Sequence, residues 1–83
     1  MNWYVYIMRC ADNSLYTGIT TNLQRRESDH NSNTNKGAKY TRMRQPVTVV
    51  YSEKATDRSQ ASKREHVIKQ LSKEQKELLV KKM

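Results

Sequence analysis

Cysteine is nearly absent from this chain, Cys10 being the one cysteine among 83 residues. That excludes an internal disulfide and any metal site built from paired cysteines. Apolar residues are scarce too, at 35% of the chain against roughly 45–50% in ordinary globular proteins, so no large core can be assembled. A run of about 18 apolar residues, the length that spans a bilayer, does not occur. The opening Met1-Asn2-Trp3-Tyr4 has neither the basic start nor the apolar stretch of a signal peptide. The expectation is a soluble cytoplasmic protein, one domain over residues 1–83, near the lower size at which a single core suffices.

Acidic residues are the other shortage. Eight stand against 16 lysines and arginines, a net charge of +8 at neutral pH. So much positive charge on so small a surface favours a polyanionic partner, and nucleic acid is the obvious one. The basic residues cluster at Lys36, Lys39, Arg42 and Arg44, interleaved with Tyr40 and Met43. Lys36, Lys39, Tyr40, Arg42 and Arg44 are therefore the candidate nucleic-acid-binding residues.

The order of elements follows from local pattern. Trp3 to Arg9 is aromatic and β-branched and reads as a strand, and Leu15 to Ile19 as a second. A three-residue loop between them, Ala11-Asp12-Asn13, puts Asn13 in the left-handed position. Met8 then pairs with Tyr16 and Tyr6 with Gly18, so Tyr6 and Tyr16 share one face as diagonal neighbours. Thr21-Asn22-Leu23-Gln24 fits a capping box opening a helix that runs to about His30. Asn31 to Gly37 reads as a polar surface loop and Ala38 to Arg44 as a short helical turn. Pro46 opens a third strand, Val47 to Ser52, with Val47, Val49 and Tyr51 on one face. Asp57-Arg58-Ser59-Gln60 starts another helix with the stripe Ala61, Glu65, Ile68 and Leu71. Ser72-Lys73-Glu74-Gln75 starts the last, with Leu78, Leu79 and Met83 expected to face inward.

The helix after Thr21 is the anomaly. Leu23, Arg26, Glu27 and His30 fall at i, i+3, i+4 and i+7, one face, yet only Leu23 is apolar. Glu65 likewise interrupts an apolar stripe. Each polar group has a plain structural reading: a core tyrosine, an ion pair, a glutamate at the rim. Together, Tyr6, Tyr16, Arg26, His30 and Glu65 fit phosphodiester cleavage. Glu65 would hold a divalent ion through oxygen, the arginine would offset charge on the phosphorus centre, and a hydroxyl or imidazole would move the proton of the attacking water.

The motifs carry a resemblance. Tyr4-Val5-Tyr6 followed by Tyr16-Thr17-Gly18 resembles the motif pair of the GIY-YIG nuclease family, with Arg26 ten and His30 fourteen residues after Tyr16. Glu65 in Lys63-Arg64-Glu65-His66 is similar to that family's metal-binding glutamate. Tyr4 and Val5 stand where the first motif has glycine and isoleucine, and Thr17 replaces the isoleucine of the second. Glu27 stands where a large apolar residue is common, which implies a less tightly docked helix or a partner for Glu27 nearby. Ala38-Lys39-Tyr40-Thr41-Arg42 and Asp57-Arg58-Ser59 are similar to the small stand-alone bacterial members. The resemblance implies an α/β fold, a small three-stranded antiparallel sheet flanked by helices. It also implies hydrolysis with one Mg²⁺ or Mn²⁺ at Glu65. Arg26 and Tyr6 would position the phosphate, and Tyr16 or His30 would serve as base. The partners it implies are nucleic acid, DNA first, and a separate recognition protein. The alternative is a nucleic-acid-binding module of the same fold that does not use the chemistry.

Overall fold

A strand buried on both faces organises the molecule. In the computed structural model, which describes residues 2–32 and 39–82, the elements are β1 (Trp3–Arg9), β2 (Leu15–Thr20), α1 (Leu23–Asn31), α2 (Lys39–Arg42), β3 (Thr48–Ala55), α3 (Arg58–Lys69) and α4 (Lys73–Lys81). The sheet order is β2-β1-β3, antiparallel throughout. The architecture is the expected three-stranded sheet flanked by helices. In β1, Val5, Ile7, Tyr6 and Met8 are all buried, because helices cover both faces of the sheet.

The two faces have different chemistry. Val5 and Ile7 pack with Ala61 and Ile68 of α3, joined by Leu79 and Val80 of α4, and this side is an ordinary apolar core. On the opposite face Tyr6, Met8, Cys10 and Val47 form a second cluster with Tyr16, Leu23 and Val49, under α1. Ser72 and Gln75 cap α4 reciprocally, and Asp57 caps α3 by accepting from the Gln60 N–H at 2.9 Å.

The hairpin forms as the three-residue loop dictates. Asn13 has φ 70°, the Cys10 N–H donates to Ser14 O at 2.9 Å, and Met8 and Tyr6 stand opposite Tyr16 and Gly18. Three details differ from the sequence expectation. The cap of α1 is Asn22, whose side chain accepts from the Arg25 N–H at 3.0 Å, because β2 extends to Thr20 and leaves Thr21 in the connection. In β3 the register shifts, with Ile7 opposite Tyr51 and Met8 opposite Val49, so Val50 is an extra residue. This bulge throws Tyr51 onto the α3 side, away from Val47 and Val49. In α4 Leu78 is 56% exposed, and Leu79 and Val80 supply the inward contacts. Met83 lies outside the described residues, as does most of the expected loop after Ser32.

Thr17 pays for its neighbours' exposure to the other face. Flanked by Tyr16 and Gly18, it points into the apolar side at 3% exposure, and its hydroxyl has no hydrogen-bond partner among the described residues. An unmet buried hydroxyl costs roughly 1–3 kcal/mol. Thr17→Val keeps the shape and removes that cost, so it is expected to raise stability by about 1 kcal/mol. Urea denaturation checks this as an upward shift of the midpoint at constant slope.

Candidate active site

The inner face of α1 docks through hydrogen bonds where most helices dock through apolar contact. His30 is its one fully buried residue. Glu27 accepts from the Val49 N–H of β3 at 2.7 Å. Asn31 pairs twice with Val47, accepting from its N–H at 2.7 Å and donating to its carbonyl at 2.9 Å. Gln45 donates to the carbonyls of His30 at 2.6 Å and Ser32 at 2.9 Å, meeting acceptors that the helix end leaves open. Glu27 thus has a partner nearby, and that partner is a strand N–H.

Within this frame the polar groups form a chain. The Arg26 guanidinium acts on the Tyr6 hydroxyl by its positive charge, favouring the ionised phenol. The Tyr6 hydroxyl pairs with His30 Nε2, 3.3 Å away. Nδ1 pairs with Thr41 Oγ1 at 2.5 Å, so both nitrogens of the neutral imidazole have partners, one donating and one accepting. His30 has no solvent exposure, and burial first, then the Arg26 charge, pushes its pKa down to about 4, with Asp29 opposing. Burial also raises the pKa of Tyr6. Arg26 works against that rise, while Tyr16 and Glu65 add to it. Tyr6 therefore keeps its proton.

Gly18 makes room for this chain. A Cβ there would lie 2.6 Å from Tyr6 Cζ, so the ring can cross β2 only where a side chain is missing. Tyr16 is half-buried on the same face. Its ring lies 5.4 Å from that of His30, tilted at 57°, and stacks on Tyr40 at 5.9 Å and 25°. Tyr6, Tyr16, Arg26 and His30 are thereby brought together. Arg26 also lies 3.9 Å from Asp29.

Glu65 comes from the other layer. It sits between Ala61 and Ile68 on α3, is 23% exposed in its side chain, and lies 3.4 Å from Lys69. Its charge nonetheless reaches the Tyr6 phenol. Among the described residues no three His, Cys, Asp or Glu side chains gather. A cation at Glu65 would have one carboxylate from the protein and otherwise water and phosphate oxygens, a donor set that suits Mg²⁺ or Mn²⁺. The residues fit such an ion.

Of the expected nucleic-acid residues, Lys36 lies outside the described residues, and Lys39 and Arg42 are described only as backbone of α2. Tyr40 is 39% exposed, and Arg44 lies over its ring with the guanidinium carbon 3.9 Å from the centroid. Thr41 escaped sequence reasoning as the partner of His30, since a threonine in a four-residue helix carries no local signal of what it will meet.

A nuclease-type centre on a small α/β scaffold is the class that this arrangement suggests. The GIY-YIG catalytic domain model matches residues 2–78, and the chain belongs to this nuclease family. Similar proteins are a UPF0213 protein of Desulfotalea psychrophila, 62% identical over 95% of this chain and 71% of that one, and the UPF0213 protein YhbQ of Escherichia coli, 50% identical over 94% and 76%. Among solved structures, the solution NMR structure of a UPF0213 protein from Bacillus halodurans matches at 46% identity and TM-score 0.60, covering 98% of this chain and 84% of that one. A solution NMR structure of an E. faecalis protein matches at 43% identity and TM-score 0.65, covering 99% and 85%.

Two measurements probe the buried chain. An unfolded histidine takes up its proton near pH 6.5, and the folded protein does so only at about 4. The stability that His30 confers is therefore complete above pH 6.5 and is lost as pH falls toward 4, by about 3 kcal/mol in all. Denaturant midpoints between pH 7 and 4 are expected to fall more steeply for the wild type than for His30→Gln. Gly18→Ala forces the Tyr6 ring off Arg26 and His30, with an expected loss of roughly 1–3 kcal/mol. The same denaturation assay reads it, and unchanged stability would contradict the close approach.

Proposed function

We propose that the protein is a metal-dependent endonuclease that hydrolyses phosphodiesters of DNA, acting on particular DNA structures in repair or processing. The observation that carries this reading is that Tyr6 and Tyr16 share one face against His30 while the charges of Arg26 and Glu65 both act on Tyr6. An arginine and a lone carboxylate whose charges both act on one phenol offer what a phosphodiester needs, namely positive charge and a place for a hard cation.

Glu65 would hold Mg²⁺ or Mn²⁺. A cation bound there supplies Lewis acidity to the phosphate and its leaving oxygen. Arg26 offsets the charge that builds on the non-bridging oxygens. Tyr6, fixed by Arg26 and His30, keeps its proton and positions the phosphate by hydrogen bonding. Between the two candidate bases geometry favours Tyr16, which is half-exposed, over His30, which is fully covered. The new bond joins the water oxygen to phosphorus and the ester P–O bond breaks; Tyr16 accepts the proton of the water while passing its own on to solvent, and the leaving oxygen takes a proton from solvent. His30 acts from behind by fixing Tyr6. The net charge of +8 supplies sequence-independent attraction to the backbone.

Glu65→Gln is the decisive variant. It is expected to abolish Mn²⁺-dependent nicking of plasmid DNA while leaving melting temperature and DNA affinity at wild-type values. A change in melting temperature with nicking intact would make Glu65 a salt-bridge residue and remove it from the reaction.

A further inference from the structure

Arg44 and Tyr40 do not stand apart as a binding patch. Arg44 is committed three times within the protein. Its guanidinium lies over the Tyr40 ring at 3.9 Å, its Nη1 donates to Tyr40 O at 2.9 Å, and its Nε donates to Asp12 Oδ2 at 3.0 Å. Its carbonyl accepts from the Ala11 N–H at 2.9 Å. Asp12 is itself held in the hairpin loop by the Ser14 N–H at 3.0 Å and the Ser14 hydroxyl at 2.6 Å. The end of α2 is thus stitched to the hairpin that carries Tyr16.

Tyr40 occupies the place this stitching creates. One neighbour is the Arg44 guanidinium and the other is the Tyr16 ring, stacked at 5.9 Å, while His30 meets Tyr16 at 5.4 Å. A base stacks on an open aromatic face, whereas two groups already lie against this ring. We propose that Tyr40 is a positioning residue for Tyr16, clamped from outside by Arg44 and anchored through Asp12 to the hairpin. This deepens the proposed reaction and rests on Tyr16 being the group that takes the proton. A half-exposed phenol on a strand has rotamers that swing it away from its target. Pinning it between His30 and Tyr40 removes that freedom and holds the oxygen in line, and loose alignment of a reacting group costs rate steeply.

The test separates geometry from activity. In the DNA-free protein, nuclear Overhauser contacts between the assigned ring protons of Tyr16 and His30 report the position of Tyr16. They are expected in the wild type and in Tyr40→Phe, weakened in Asp12→Asn, and lost in Tyr40→Ala. In single-turnover cleavage at saturating DNA with Mn²⁺, Tyr40→Ala is expected to lower the rate between about ten- and a hundred-fold. Tyr40→Phe should retain the wild-type rate, and both should keep wild-type affinity. The idea is overturned by contacts that persist in Tyr40→Ala. It is equally overturned by a variant that loses DNA affinity at an unchanged saturated rate, since Tyr40 would then touch nucleic acid directly. The spectroscopic arm decides the clamp even where the wild type cleaves nothing, an outcome that would count against the proposed reaction instead.

Discussion

A histidine with no solvent contact has to find its hydrogen-bond partners inside the protein, and most of the α1 side of this fold can be traced to that demand. Tyr6 meets one nitrogen of His30 and Thr41 the other. Meeting the first fixes the direction of the Tyr6 ring and brings in Arg26; meeting the second draws α2 against α1. A neutral ring is favoured throughout, since burial and the Arg26 charge both oppose protonation. The buried imidazole is therefore a constraint on geometry before it is anything else. It also explains why a chain short of apolar residues can give up helix contacts, because hydrogen bonds at Glu27, His30 and Asn31 replace them.

The division of labour between the faces of the sheet follows. Folding rests on the α3 and α4 side, where Val5, Ile7, Ala61 and Ile68 form a core with no buried charge. The buried network of Tyr6, His30 and Thr41 lies on the α1 side. β1 belongs to both, and alternation of its side chains sends Tyr6 one way and Ile7 the other. Glu65 is the exception, a carboxylate from the apolar layer whose charge crosses to the polar one. A group in that position can be neighbour to Tyr6 without belonging to the network that holds Tyr6 in place.

What could be read from the residues depended on how local its cause was. The hairpin register follows from loop length and an asparagine suited to positive φ, so the shared face of Tyr6 and Tyr16 was legible in advance. The polar stripe of α1 was legible as a pattern, and its family spacing assigned Arg26 and His30. The bulge was not, because Val47 to Tyr51 alternates as a regular strand and the extra residue appears only when β1 is laid beside it. Nor was the link between Asp12 and Arg44, thirty-two positions apart and an ion pair only once the hairpin folds back on α2. Lys36, Lys39 and Arg42 were read from charge alone, and charge carries no information about direction.

The same logic bears on how basic residues in such a small protein should be read. Arg9 is held by Glu77, Arg64 by Glu53 and Arg44 by Asp12, at 2.6, 2.6 and 3.0 Å. Arg9 and Arg44 join elements distant in sequence and Arg64 joins the consecutive β3 and α3, with Arg9 and Arg64 each presenting two nitrogens to the carboxylate. The net positive charge still draws in a polyanion, because long-range attraction depends on the sum and not on individual pairs. Local contact is another matter, since an arginine already engaged by a carboxylate must give up that bond to grip a phosphate. In this protein Arg9, Arg64 and Arg44 tie together the scaffold that carries the site, and sequence-independent attraction is a property of the whole surface.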